Sequence, residues 1–114
     1  MEIALINPQI KKGVKNHVIY TVKGKDDISE YEVIRRYKDF FALRAVLITR
    51  WPGCFVPAIP PKQATGNHDA IFIETRRKSL EEFLKQVADI KHIYESDEFQ
   101  LFIRGPPEFE KNLS

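Results

Sequence analysis

The sequence predicts an α+β domain in which a three-stranded antiparallel sheet packs against a helical subdomain. Up to residue 36, short runs rich in β-branched and aromatic residues indicate strands. From residue 37, apolar residues recur three and four positions apart, which is the spacing of amphipathic helices. An extended proline-rich segment separates the first two main helices. Strands followed by segregated helices are typical of an α+β domain.

Three strands are predicted before residue 37. Glu2–Ile6 is short and apolar, and we expect Pro8 to end it. His17–Lys23 is rich in β-branched and aromatic residues, and the hairpin turn candidate Gly24–Asp27 follows it. Glu30–Arg36 alternates in polarity and is the third strand. Together these strands form a small antiparallel meander.

The helices are predicted from their apolar stripes. The first runs from Tyr37 to about Ile48, the second from about Ile71 to about Ile90, and the last covers Ser96–Ile103 with Ser96 as its N-cap. The predicted buried positions are Tyr37, Phe40, Leu43 and Leu47 in the first helix, Leu80, Phe83, Leu84 and Val87 in the second, and Phe99, Leu101 or Phe102, and Ile103 in the last.

Length and composition indicate one domain. The chain has 114 residues, of which 43% are hydrophobic and 30% charged, as in ordinary globular proteins. We assign residues 1–105 to the domain and residues 106–114 to a C-terminal tail or the start of a linker. The net charge of +2 argues against a nucleic-acid-binding protein. Residues 1–62 hold eleven Lys and Arg against six Asp and Glu, so the positive charge is concentrated there.

Several classes of function are disfavoured. With one cysteine, Cys54, no internal disulfide can form, which favours a reducing compartment. The three histidines are too scattered for a metal site, and we expect no cofactor. No nucleophile–base pair, carboxylate dyad or glycine-rich phosphate loop indicates an enzyme. No apolar run approaches the ~20 residues that span a bilayer, so we expect any membrane contact to be peripheral.

The segment Val56–Lys62, here called the strut, is the most informative stretch. Proline fixes φ and supplies no N–H donor, so VPAIPPK is expected to be stiff and extended. It ends in Lys62 and lies between two adjacent-arginine pairs, an arrangement that favours phosphate recognition. Two alternatives stay open: an SH3-domain ligand, because two spaced prolines precede a lysine, and an ordinary loop.

Arg36 and Tyr37 lie where the third strand meets the first helix. Free N–H groups and the helix dipole favour an anion there, and the Tyr37 ring offers a face with its hydroxyl outward. The alternative is a solvated Arg36 and a core Tyr37. Arg76 falls on the buried stripe of the second helix, where a guanidinium needs an anionic or polar partner. That partner is either a ligand or a carboxylate such as Glu32 or Asp39.

Taken together, the motifs resemble those of a phox-homology (PX) domain of the sorting-nexin type. The resemblance covers almost the whole chain, from Asn7-Pro8 to Phe102-Ile103. It rests on three motifs in order: RRYKDF from Arg35, the strut, and ETRRKSLEEF from Glu74. It implies a three-stranded sheet against a helical subdomain and binding of phosphoinositides, most often phosphatidylinositol 3-phosphate.

The resemblance also implies a role for each site residue. Arg36 would grip the 3-phosphate and Tyr37 would pack on the inositol ring. Lys62 would contact the 1-phosphate, and Arg76 would bond the 4- and 5-hydroxyls. Lys38, Arg77 and Lys78 are possible auxiliary residues, although Arg77 and Lys78 are expected to turn towards solvent.

Membrane attachment is expected to be peripheral, on the cytosolic face of early endosomes. Residues 63–68 hold no large hydrophobe, so insertion should contribute little, whereas Lys11, Lys12 and Lys15 would each add roughly 1 kcal/mol if they face anionic lipid. Further partners are expected to be trafficking proteins, through a longer parent chain such as a sorting nexin with a BAR region. The alternative function is a protein-interaction module using the strut or the helical face.

Overall fold

The computed structural model describes residues 2–13, 16–53, 55–61 and 69–113 and confirms the α+β prediction. The sheet is antiparallel in the order β1-β2-β3, and the helices follow it in the chain. The strands are β1 (Glu2–Lys11), β2 (His17–Lys25) and β3 (Glu30–Arg36), and the helices are α1 (Tyr37–Arg50), α2 (Ala70–Ala88), α3 (Lys91–Tyr94) and α4 (Asp97–Arg104), with a final 3-10 helix at Phe109–Leu113.

Strand β1 continues past Pro8, so the prediction that Pro8 ends it is wrong. The pairing register with β2 shifts between Ile6 and Gln9, and Asn7 adopts a positive φ of 52°. This β-bulge accommodates the proline, which lacks the N–H that a regular ladder would use. The strand resumes pairing from Gln9 to Lys11.

The β2–β3 turn lies two residues later than predicted. Gly24 is within β2. A Cβ there would lie 2.3 Å from the Tyr31 hydroxyl oxygen and 2.4 Å from the Glu2 carbonyl oxygen, so the position requires glycine. The turn begins at Asp26, whose N–H donates to the Ser29 carbonyl at 3.1 Å. The Asp26 carboxylate accepts from the N–H groups of Ile28 and Ser29, which is the usual role of Asp in a turn.

The helix boundaries differ from the prediction by a few residues. α2 begins after Asp69, whose carboxylate accepts from the Ile71 N–H at 3.2 Å. The predicted cap of α4 is confirmed, since the Ser96 hydroxyl accepts from the Phe99 N–H. The short helix α3 was not predicted, because a single turn carries no periodic stripe.

The core lies between the inner face of the sheet and helices α1, α2 and α4. The predicted helical stripes are confirmed apart from Tyr37, which is half-buried, and Phe102 is buried where Leu101 is only half-buried. The sheet contributes Leu5, Tyr20, Val22 and Tyr31, and the helices contribute Phe40, Leu43, Leu47, Leu80, Phe83, Leu84, Val87, Phe99, Phe102 and Ile103.

The C-terminal residues pack on this core. Phe109 is completely buried, and its ring centroid lies 5.1 Å from that of Phe102 in an edge-to-face arrangement. Residues 106–114 were assigned to a tail or linker on the sequence. Phe109 instead anchors the chain after α4 to the domain.

Candidate functional site

Arg36 lies at the junction between β3 and α1. Its backbone is extended (φ −114°, ψ 170°), and its N–H donates to the Asp39 carboxylate at 2.9 Å, which fixes the first turn of α1. The Arg36 side chain is half-buried and forms no ion pair with any carboxylate in the described part of the chain. Arg36 is thus the residue that caps α1, next to the N–H groups that open the helix.

Tyr37 and Arg76 come together, although 39 residues separate them. The Arg76 guanidinium carbon lies 4.3 Å from the centroid of the Tyr37 ring and 5.2 Å from that of Phe72, so the cation stacks on aromatic faces. Burial raises the pKa of the Tyr37 phenol, and the positive charges of Arg76 and Arg44 oppose this. The phenol therefore stays neutral at physiological pH and keeps its hydrogen to donate.

The Tyr37 hydroxyl does not point outward as predicted. It donates to the Pro60 carbonyl at 2.5 Å, and this bond joins α1 to the strut. One face of the Tyr37 ring is covered by the Arg76 guanidinium, an arrangement that the sequence did not predict. The strut's carbonyls accept hydrogen bonds from side chains, and the sequence did not predict which side chains donate to them.

Arg76 also contacts the strut. Its Nη2 donates to the Pro61 carbonyl at 2.7 Å, while its Nε is buried without a hydrogen-bond partner. Neither carboxylate of the salt-bridge alternative pairs with it: Glu32 lies 3.9 Å from the Lys23 ammonium, and Asp39 accepts from the Arg36 N–H. The guanidinium retains donors for an incoming acceptor.

The strut's described part, residues 56–61, contains no helix or strand. Val56 and Pro57 are buried, and the Arg44 Nε donates to the Pro57 carbonyl at 2.8 Å. The SH3-ligand prediction is therefore wrong for the folded domain, because such a ligand must expose both prolines. Lys62, Cys54 and the predicted loop at residues 63–68 lie outside the described residues.

The three auxiliary candidates differ in their surroundings. Lys38 and Lys78 are exposed. Arg77 is not directed to solvent as predicted: it donates to the Leu5 carbonyl at 2.7 Å, pairs with Glu74 at 2.7 Å, and approaches Glu81 at 3.4 Å. The Glu74 carboxylate is the main cause that raises the pKa of Arg77. Arg77 thus joins α2 to β1, and its donors are occupied.

Arg35 has a structural role that sequence reasoning missed. Its side chain is only 2% exposed and donates to carbonyls at the end of α4. The signal was present: Tyr31 and Val33 alternate onto the inner face of β3, and Arg35 continues that alternation. The first arginine of the pair is therefore inside the domain.

Two absences hold for the described ranges. No group of three His, Cys, Asp or Glu side chains there is arranged to hold a metal ion. No helix in the same ranges has the length and apolarity needed to cross a bilayer.

Comparison with known proteins identifies the fold family. The sequence profile of the PX domain matches residues 24–105. The chain is 35% identical over 102 residues to the vacuolar protein sorting-associated protein vps5 of Schizosaccharomyces pombe, covering 84% of this chain and 18% of that protein. It is 31% identical over 116 residues to sorting nexin 1 of Arabidopsis thaliana, covering 95% of this chain and 29% of the relative. The chain thus spans less than a third of either relative.

Solved structures agree. A designed CISK-PX domain superposes with a TM-score of 0.81 at 27% identity, covering 90% of this chain and 98% of the other. A chain of the SNX-BAR Mvp1 tetramer superposes with a TM-score of 0.76 at 29% identity, and the match covers 90% of this chain and 30% of that chain. With the profile match over most of its length, this chain belongs to the PX domain family, whose members are generally non-enzymatic modules that bind phosphoinositides in membrane trafficking.

Proposed function

We propose that this domain binds phosphatidylinositol 3-phosphate and thereby recruits its parent protein, a sorting nexin, to the cytosolic face of early endosomes. The observation that carries the proposal is the placement of Arg36 and Arg76. The Arg76 guanidinium stacks on the Tyr37 ring, Arg36 directly precedes Tyr37 at the start of α1, and neither arginine pairs with a carboxylate in the described ranges. Two such cations beside a helix N-terminus suit a phosphate on a polar ring.

Each side chain has a proposed part. Arg36 binds the 3-phosphate, because its planar fork suits two phosphate oxygens and the first N–H groups of α1 lie beside it. Arg76 bonds the 4- and 5-hydroxyls through guanidinium N–H groups that its bond to Pro61 leaves free. Tyr37 flanks the inositol ring and carries Arg76, and Lys62 contacts the 1-phosphate.

Weak membrane attachment of the single domain is part of the proposal. Lys11 and Lys12 are exposed, and cations of this kind add to attraction by anionic lipid if they face it. The relatives are several times longer than this chain, and a second membrane-binding region or dimerisation would raise the overall affinity. Other trafficking proteins would bind through that longer parent.

Liposome pelleting tests the proposal. Vesicles with phosphatidylinositol 3-phosphate should pellet the wild-type domain, and Arg36→Ala should abolish pelleting because the charge-assisted phosphate contact is lost. Arg36→Lys should also bind weakly, because an ammonium lacks the planar fork. Arg50→Ala, which removes one charge from the other end of α1, is the matched control and should bind normally. Equal binding by Arg36→Ala would reject the site.

The isomer preference is tested in the same assay. Vesicles carrying the 4-phosphate, the 3,5-bisphosphate or no phosphoinositide replace the first set at equal total charge. We expect the 3-phosphate to bind best. If a bisphosphate binds better, the exposed Lys38 and Lys78 are the residues to substitute next. Binding that follows total charge alone would contradict specific recognition.

A further inference from the structure

Three side chains from two helices donate to three carbonyls of the strut. Arg44 Nε donates to the Pro57 carbonyl at 2.8 Å, and the Tyr37 hydroxyl donates to that of Pro60 at 2.5 Å. Arg76 Nη2 donates to the Pro61 carbonyl at 2.7 Å. A proline has no N–H, so the strut cannot be held as a regular sheet strand is, and its carbonyls are the available points of attachment.

For two of these bonds, the spacing of the donors along α1 matches the spacing of the acceptors along the strut. Tyr37 and Arg44 are seven residues apart, which is about 10.5 Å along a helix at 1.5 Å per residue. Pro57 and Pro60 are three residues apart, which is about 10 Å in an extended chain. The later helix residue contacts the earlier strut residue, so the strut runs antiparallel to α1 with its carbonyls in step with two helical turns.

Arg44 differs from the other two. Tyr37 and Arg76 belong to the proposed headgroup site, whereas Arg44 holds Pro57 at the buried start of the strut. Arg44 lines a groove together with the apolar side chains of Phe41, Ala45, Ile48 and Ile59. Its bond to Pro57 can therefore persist whether or not a ligand is bound.

We infer that Arg44 is a positioning residue for the headgroup site, which it serves by fixing the strut against α1. This inference rests on the proposed function. With the Pro57 end held, the Pro60 and Pro61 carbonyls stay where Tyr37 and Arg76 meet them, and Arg76 stays stacked on the Tyr37 ring. Without Arg44, a ligand would have to order the strut on binding, and that ordering lowers affinity.

The test compares Arg44→Met, which keeps an unbranched stem without donor or charge, with Arg44→Lys, which keeps the charge. Titration of a soluble short-chain phosphatidylinositol 3-phosphate should show binding about three- to tenfold weaker for Arg44→Met. Because the lost bond is internal, the ratio to wild type should be unchanged between low and high salt. Arg50→Met, a charge removed from the same helix, should bind as wild type does.

Nuclear magnetic resonance distinguishes the loss of this hydrogen bond from a general loss of stability. The Ala58 amide nitrogen shares a peptide bond with the Pro57 carbonyl, so its shift reports that hydrogen bond. In the ligand-free protein it should change in Arg44→Met, should recover at least partly in Arg44→Lys, and should not change in Arg50→Met.

The outcomes separate the two claims. Suppose that wild type binds and Arg44→Met binds equally well, or that the affinity lost in Arg44→Met is regained at high salt. Arg44 then does not position the strut, and the inference fails while the proposed function stands. If wild type does not bind the lipid at all, the proposed function fails and the positioning role in binding fails with it.

Discussion

Arg35 and Arg36 are neighbours in the chain but lie on opposite sides of the β3 strand. Arg35 donates from Nε to the Phe102 carbonyl at 3.0 Å and from Nη2 to the Gly105 carbonyl at 2.9 Å. The Arg36 N–H donates to Asp39, and the Arg36 side chain forms no ion pair with a carboxylate of the described residues. Because a strand alternates its side chains, Arg35 lies inside the domain at the end of α4, and Arg36 lies on the other side of β3, where we propose the headgroup site.

This relationship predicts opposite phenotypes for the two arginines. Arg35→Met should lower the free energy of unfolding by about 3 kcal/mol, because buried carbonyls at the end of α4 lose their donor. Arg36→Ala should change it by less than about 0.5 kcal/mol but should abolish lipid binding. Urea denaturation followed by circular dichroism measures the first effect and liposome pelleting the second. Similar stability losses for both variants would contradict the assignment.

We expect lipid binding to depend on the planar shape of the cation at position 76. Arg76→Lys keeps the charge but loses the planar group that stacks on Tyr37 and donates to Pro61. Binding of phosphatidylinositol 3-phosphate should weaken about tenfold, since at least one charge-assisted hydrogen bond is lost. Calorimetric titration measures it, with Arg76→Met as the variant that lacks charge as well. If lysine restores wild-type affinity, the stacked geometry is irrelevant to binding.

The turn between β2 and β3 is joined to the helices through Asp26. Its carboxylate pairs with Arg104 Nη2 at 2.5 Å and accepts from the Tyr94 hydroxyl and two turn N–H groups. The hydrogen bond from Arg104 is the largest cause that holds the pKa of Asp26 far below its ordinary value. A carboxylate with a depressed pKa stabilises the folded state above its unfolded pKa of about 3.9 and loses that contribution in more acidic solution.

A pH series with Asp26→Asn tests this. At pH 7 the variant should be less stable than wild type by about 2 kcal/mol, because the charged partner Arg104 loses its carboxylate. The difference should narrow steadily as the pH falls below about 4. Urea denaturation at several pH values measures both proteins. A difference that stays constant down to pH 2 would show that the ion pair contributes little.

The C-terminal anchor is tested by truncating its side chain. Phe109→Ala should lower the free energy of unfolding by about 3–4 kcal/mol, because it leaves a cavity beside Phe102. Phe55→Ala makes the same chemical change at a side chain that is 76% exposed, so it should change stability little. Thermal denaturation of both variants gives the comparison. If both shift the midpoint equally, Phe109 is not part of the core.

Local pattern was sufficient for most of the secondary structure. Strand β3 was predicted at Glu30–Arg36 and is found there, because its alternation needs only neighbouring residues. The Leu80 to Val87 stripe of α2 and the Ser96 cap were also read from residues a few positions apart. The three motifs in order indicated the PX family, which the profile match confirms.

The tertiary structure decided where side chains go when their partners are distant in sequence. Gly24 was predicted to be a turn residue, but the structure shows that Tyr31 and Glu2 approach it closely within the sheet. Phe109 was assigned to a tail, but the structure shows that it packs on Phe102. Neither contact leaves a periodic trace in the sequence.

The sequence by itself determined the order of strands and helices, the buried stripes and the residue types at the candidate site. Only the tertiary structure decided that Arg35 is internal, that Arg77 is held by β1 and α2, and that Arg44, Tyr37 and Arg76 bind the strut's carbonyls. The physical reason is the range of the interactions. Periodicity and capping act over a few residues, whereas these long, polar side chains find carbonyls 13 to 72 residues away.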